Sequence, residues 1–363
     1  FMGEAKNQET KDEVSVFKKF WNNHNFDEAT MFTIIKNMNK LIIDASNSQD
    51  ERFYQYIRML DFMQKYQFNF LRIPIDYRFW LTDIQGEPLE SFLKTLDSYV
   101  ENAISHNIHA SINLHRAPGY CINGWERERY NLWADQIAQD AFEKLWVNLA
   151  ERYKGKYQTE VSFDLVNEPP EIGQRGFTRD IHQQLIRRIT NAIRKVDPDR
   201  LVVINGLAGG HLAMPELADL EVIHSGRGYQ PMLVSHYKAE WWDGSKGMPV
   251  PTYPCEYNGT YWNRDSLRAF YQPWVDVSEM GRPVHIGEFG CYKYTDNSVA
   301  LAWFKDLFDI YKELGWGYSL WEFDGNFGIA NHGRPNTKYE NFEGLNVDRG
   351  LLDLMLESRV FPN

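Results

Sequence analysis

Seven short apolar runs recur along this chain, most of them separated by longer amphipathic stretches, and this alternation constrains the fold more than any other feature. The runs are FNFLRIPI (68–75), IHASINL (108–114), VSFDLV (161–166), LVVING (201–206), MLVSHY (232–237), PVHIGEF (283–289) and GYSLWEF (317–323). They are too short for ordinary helices and rich in β-formers, so each predicts a strand. In DERFYQYIRMLDFMQKY, Phe53, Tyr56, Ile57, Leu60 and Met63 recur at the spacing of one helix face. LESFLKTLDSYVENAISH, DAFEKLWVNLAERYK, DIHQQLIRRITNAIRKV and SVALAWFKDLFDIYKELG follow the same pattern. Strands alternating with helices imply an α/β fold of parallel strands joined by crossover helices. A (β/α)8 barrel with extended βα loops is expected, as a single domain over residues 1–363 with a frayed polar segment at 1–13. Its first strand must come from the first 45 residues, where MFTIIKN (31–37) is the candidate. An open doubly wound sheet would usually carry a Gly-rich phosphate turn, and neither G-x-G-x-x-G nor G-x-x-x-x-G-K-[ST] occurs.

Composition narrows the partners. A net charge of −11 disfavours nucleic acid. No run reaches the roughly 20 apolar residues of a membrane span. Cys121, Cys255 and Cys291 form no C-x-x-C pair, and the ten histidines show no metal-ligand spacing, so no metal and no cofactor is expected. There is no G-x-S-x-G elbow, and HSGRG (224–228) has the wrong order for one. The N-terminal stretch is polar, without a signal-peptide core.

In a barrel, chemistry sits at the carboxyl ends of the strands. Arg72, His115, Asn167 with Glu168, His236 with Tyr237, Glu288, and Trp321 with Glu322 occupy or adjoin those ends here. Two carboxylates facing one another over a barrel mouth suit glycosidic bond cleavage: one protonates the leaving oxygen while the other attacks or directs water. Taken singly, either glutamate could be a strand-end salt bridge; together with their flanking motifs they favour catalysis.

LVNEPP followed far downstream by HIGEFG, in a chain that also carries LRIPI, LHRAPG and SLWEF, resembles glycoside hydrolase family 5, the cellulase-type retaining β-glycosidases. The resemblance implies Glu168 as acid/base and Glu288 as nucleophile, in a retaining pair about 5–5.5 Å apart. It also implies that Asn167 holds the sugar 2-hydroxyl, Arg72 orients the nucleophile, His115 contacts sugar hydroxyls and Trp321 forms a stacking floor. The family commonly shows His-x-Tyr at the end of strand six, whereas this chain reads SHYK (235–238), leaving His236 and Tyr237 as substrate-binding candidates on opposite strand faces. Loop aromatics Tyr120, Trp125, Trp241 and Trp242 are further candidates for sugar subsites, as is Asn326 in FDGNFG. The charges of GWERERYNLWAD (124–135) read as solvated surface. The expected activity is endo-acting hydrolysis of a β-linked polysaccharide or oligosaccharide, first among them β-1,4-glucan. Mannan, xyloglucan and β-1,3-glucan are the alternatives, with a non-catalytic carbohydrate-binding barrel behind them. The expected setting is a secreted or periplasmic monomer.

Overall fold

The computed structural model describes residues 51–81, 83–124 and 128–359. The expected first strand at 31–37 and the polar N-terminal segment lie outside these residues. The chain divides into two compact units, one ending at Gly209 and the other beginning at Gly210.

In the first unit the short apolar runs form four strands: β1 (Phe70–Asp76), β2 (His109–Arg116), β3 (Val161–Asp164) and β4 (Leu201–Asn205). β1 pairs with β2, β2 with β3 and β3 with β4, all parallel. Helix α1 (Glu51–Lys65) precedes β1, and α2 (Glu90–Ser105), α3 (Gln136–Tyr153) and α4 (Arg179–Val196) make the crossovers. The amphipathic spacing explains their seating: α2 buries Phe92, Leu93, Leu96, Tyr99, Val100 and Ala103, a three-and-four repeat. Every residue of β3 is buried, as expected of a central parallel strand covered on both faces. The end of the unit away from the site is locked by Arg200. Its guanidinium pairs with Asp197 at 2.7 Å and donates to the carbonyls of Tyr153, Lys156, Tyr157 and Val161.

The second unit contains β5 (Ile223–Gly228), a short helix α5 (Met232–Ser235) and a hairpin of β6 (Cys255–Tyr257) and β7 (Thr260–Trp262). Helices α6 (Arg264–Phe270) and α7 (Gln272–Glu279) lead into β8 (Val284–Phe289), and α8 (Asn297–Leu314) leads into β9 (Gly317–Leu320). A second hairpin, β10 (Tyr339–Phe342) with β11 (Leu345–Asp348), precedes α9 (Arg349–Glu357). β5 pairs with β8 and β8 with β9, again in parallel. Phe289, Phe304, Phe308, Tyr311 and Tyr318 pack edge to face or tilted between β8, β9 and α8. No helix among the described residues is long and apolar enough to cross a membrane.

One strand expectation is overturned. MLVSHY is not a strand: Met232–Ser235 is a helical turn, and the strand lies earlier, at Ile223–Gly228. The turn is held because its carbonyls take outside donors, Thr295 Oγ1 to Val234 at 2.8 Å and the Tyr292 amide to Ser235 at 2.9 Å. The true strand, IHSGRG, escapes a propensity reading because it carries two glycines and an arginine. Gly228 has a packing reason, since a Cβ there would stand 2.3 Å from the Tyr311 hydroxyl and 2.7 Å from Phe289 Cβ. The charges of 124–135 also need correction: Glu128 is buried, accepting from the Tyr77 hydroxyl at 2.8 Å and pairing with Arg116.

Candidate active site

The polar residues at the strand ends form a connected network in each unit. In the first, β1 carries Arg72 beside β3. Arg72 Nε donates to Asp164 Oδ2 at 2.6 Å, and its Nη2 donates to Asn167 Oδ1 at 2.9 Å. Asp164 is almost wholly buried, and this ion pair is what makes a carboxylate tolerable inside β3. Its other oxygen accepts from Asn205 Nδ2 at 2.6 Å, at the end of β4. Asn205 Oδ1 in turn accepts the backbone amide of Glu168 at 3.3 Å.

Arg72 fixes the Asn167 amide with its oxygen inward, so the Nδ2 end lies beside His115 Nε2 at 3.5 Å. The other ring nitrogen of His115 is 3.2 Å from Asn113 Oδ1. Protonation of His115 on Nδ1 satisfies both contacts and leaves Nε2 as the acceptor. Glu168 itself is half-buried with φ at +47°, in the left-handed region that a non-glycine residue enters at a cost of roughly 1–3 kcal/mol. Four bonds hold it there: its amide goes to Asn205, its carbonyl accepts from the Tyr120 hydroxyl, and the Pro169 and Pro170 carbonyls accept from the Gly209 and Ala208 amides at 3.0 Å each. Strand β3 has ended at Asp164, and the two prolines that follow Glu168 carry no amide with which to extend its ladder.

In the second unit Glu288 lies near the end of β8 and is buried. The Tyr229 hydroxyl donates to its Oε2 at 3.1 Å, and Arg227 Nη2 donates to its Oε1 at 3.4 Å. Tyr229 sits just past the end of β5. His236 packs edge to face on Tyr229, with ring centroids 4.9 Å apart, and also lies against Trp242 and Phe327. Burial, reinforced by His211 and opposed by Glu288, pushes the His236 imidazole down to about 3, so it is neutral at ordinary pH. Trp321 follows β9 directly, joined to Glu322 by a cis peptide, and packs against the cluster of Tyr229, Tyr292 and Phe327. Both oxygens of this carboxylate thus accept from a donor, one a phenol and one a guanidinium.

The other candidates separate clearly. Tyr120 is buried against Trp133 with its hydroxyl bound to the Glu168 carbonyl, so it supports the acid/base candidate instead of meeting sugar. Tyr237 is buried beyond α5, under Lys238, and the tyrosine that reaches Glu288 is Tyr229. Trp241 is 50% exposed, standing edge to face on Tyr292, and Trp242 is half-buried beside His236. Asn326 is exposed. Trp125 lies outside the described residues. Asp164, Asn205, Arg227 and Tyr229 are absent from the sequence-based candidates. The charge of Asp164 inside an apolar run, and Arg-Gly-Tyr at 227–229, are the signals that mark them.

Glutamates at or near strand ends, with amide, guanidinium and aromatic side chains around them, are residues of the kind a glycoside hydrolase on a parallel α/β fold uses. Comparison with known proteins agrees. The family model for cellulase (glycosyl hydrolase family 5) matches residues 34–327. This chain belongs to that family, and its fold is a (β/α)8 barrel. It is 24% identical over 303 residues to Endoglucanase C of Acetivibrio thermocellus, covering 75% of this chain and 85% of that protein. It is 29% identical to a beta-xylosidase of Phanerodontia chrysosporium, covering 77% of this chain and 58% of that one. Among solved structures, a glycoside hydrolase is 55% identical with a TM-score of 0.82, over 84% of this chain and 93% of that one. Thermotoga maritima Cel5A in complex with mannotriose is 22% identical with a TM-score of 0.65, over 82% of this chain and 89% of that one.

Proposed function

We propose that this enzyme is an endo-acting retaining β-glycosidase whose main substrate is β-1,4-glucan, with Glu288 as nucleophile and Glu168 as acid/base. The observation that carries the reading is the pair of donors on Glu288, Tyr229 to one oxygen and Arg227 to the other. In the first step a Glu288 oxygen attacks the anomeric carbon while the bond to the leaving sugar breaks, and Glu168 gives its proton to the departing oxygen. In the second, Glu168 takes a proton from water, the water oxygen attacks the same carbon, and Glu288 is released as carboxylate. Asn167, aligned by Arg72, holds the 2-hydroxyl, where the contact strengthens as the oxocarbenium-like transition state forms. His115, His236 and Trp321 shape the sugar sites around the cleaved bond, and Trp241 and Trp242 offer aromatic surface to further units of the chain.

The glucan assignment is supported by likeness to Endoglucanase C and Endoglucanase H of Acetivibrio thermocellus. Polymeric substrates of this kind are met outside the cytoplasm, which favours a secreted or periplasmic enzyme. The test is product analysis on carboxymethylcellulose, mixed-linkage glucan, mannan, xyloglucan and β-1,3-glucan in parallel, with the anomer of the first product read by NMR. The β-anomer and fastest cleavage of a β-1,4-glucan are expected. An initial α-anomer would overturn the retaining scheme, and faster cleavage of mannan would overturn the substrate.

A further inference from the structure

We propose that Arg227 is a positioning residue for the nucleophile: its guanidinium keeps Glu288 ionised and aimed, and so sets the acid limb of the activity profile. This rests on the reading of Glu288 as nucleophile. The geometry is built for the purpose. Arg227 and Glu288 are direct partners across β5 and β8, and they become so through an irregularity between Gly226 and Arg227 that skips Gly287. Without that slip the arginine would face the glycine.

The guanidinium is fully buried, and Nη1 is anchored on the strand itself by Ser225 Oγ at 3.3 Å and the Gly226 carbonyl at 3.1 Å. Nη2 is thereby directed to Glu288 Oε1. Two glycines clear its path. A Cβ on Gly210 would stand 2.3 Å from Arg227 Cγ, and one on Gly287 would stand 2.2 Å from Ser225 Oγ and 3.0 Å from Arg227 Nη1. Tyr271 fixes the backbone by donating to the Arg227 carbonyl at 3.3 Å. Arg200 offers a contrast, because its donors go mainly to main-chain carbonyls and its charge partner, Asp197, lies far from the site.

Other titratable groups of this unit stand nearby. Tyr229 donates to Oε2, His236 lies behind Tyr229, and His211 acts on His236. Tyr229 meets the carboxylate through its hydroxyl, and His236 is kept neutral by burial. Guanidinium groups keep their charge in proteins. The positive charge on the nucleophile from this side therefore does not switch off within the working range, as a histidine in its place would.

The test is the pH profile of kcat/KM for wild type, Arg227→Met, Arg227→Lys and Arg227→His, with circular dichroism and thermal melting to establish folding. Arg227→Met should move the acid limb up by about one pH unit or more, since an opposite charge within hydrogen-bonding range is lost. Arg227→Lys should restore the limb to near its wild-type position, with kcat still reduced. Arg227→His should add an ionisation near pH 6.5. A folded Arg227→Met with the wild-type limb would overturn the proposal. If that variant does not fold, identical limbs in the lysine and histidine variants would overturn it. Labelling of wild type with a 2-fluoro glycoside separates the two failures. A label away from Glu288 sinks the functional reading, whereas a label on Glu288 with an unmoved limb sinks only the role of Arg227.

Discussion

The Tyr229 hydroxyl donates to Glu288 Oε2 at 3.1 Å, from a residue one step beyond the end of β5 to one on the neighbouring strand. With Glu288 as the proposed nucleophile, this bond would stabilise the carboxylate before attack and be given up as the glycosyl–enzyme ester forms. Tyr229→Phe removes it with no change of shape. A hydrogen bond to a charged group contributes about 1.5–3 kcal/mol, so kcat should fall by about 10- to 100-fold with little change in melting temperature. Steady-state kinetics on a soluble β-glucan checks this, and an unchanged kcat would remove Tyr229 from the nucleophile's support.

Glu168→Ala should divide substrates by leaving group. Polysaccharide hydrolysis needs a proton on the departing oxygen and should drop by about 10²- to 10⁴-fold. An aryl glycoside with an acidic phenol needs none, so its first turnover should remain fast, giving a burst followed by slow release of the glycosyl–enzyme. Equal losses on both substrates would contradict the acid/base role.

Asn205 ties two functional groups to one strand end, donating to Asp164 and accepting the Glu168 amide. Asn205→Ala takes one donor from Asp164, which keeps Arg72, and removes the Asn205 acceptor from the Glu168 amide; this should lower kcat/KM by at least about tenfold and stability by about 1–3 kcal/mol. Tyr120→Phe loses only the bond to the Glu168 carbonyl and should be milder on both counts. Parallel melting and kinetics distinguish the two; wild-type kinetics in Asn205→Ala would show that Glu168 is placed without it.

Acid sensitivity of the fold should come from buried histidines. His182 is fully buried beside Trp133 and Phe177, its ring nitrogens lack hydrogen-bond partners among the described residues, and burial pushes it down to about 3. His224 is pushed to about 4 by burial, with Arg282 acting in the same direction. An unfolded histidine titrates near 6.5, so below that pH the unfolded chain takes up protons that the folded chain refuses. Stability is thus full above about pH 6.5 and is lost as pH falls, by about 2 kcal/mol at pH 5 for His182. His182→Leu should raise the melting temperature relative to wild type more at pH 5 than at pH 8. An equal offset at both would contradict the assignment.

Most of the first unit was legible because each strand there is an apolar run closed by a polar residue, and each helix repeats at three and four. Glu168, Asn167 and His115 could be read from where those runs end. The second unit hid its site in IHSGRG. There the backbone runs close to Trp274, Tyr311 and Phe289, which favours glycine, and Ser225 and Arg227 are paired inside the protein. Propensity reads such a segment as a loop, and the apolar MLVS nearby as the strand. The tyrosine that reaches Glu288 follows this strand, at Tyr229. Arg72 to Asp164 is a side-chain pairing between strands, and Asn205 to the Glu168 amide joins a strand to the segment after β3; periodicity along one strand encodes neither.

Glu288 as nucleophile requires that it become covalently attached to sugar during turnover. Incubation with a 2-deoxy-2-fluoro β-glucoside or cellobioside carrying a good leaving group, followed by digestion and mass spectrometry, tests it directly. One label per chain is expected, on Glu288, and none on Glu288→Gln, which should also lose at least about a hundredfold in kcat. A label on another residue, or Glu288→Gln turning over at near wild-type rate, would contradict it.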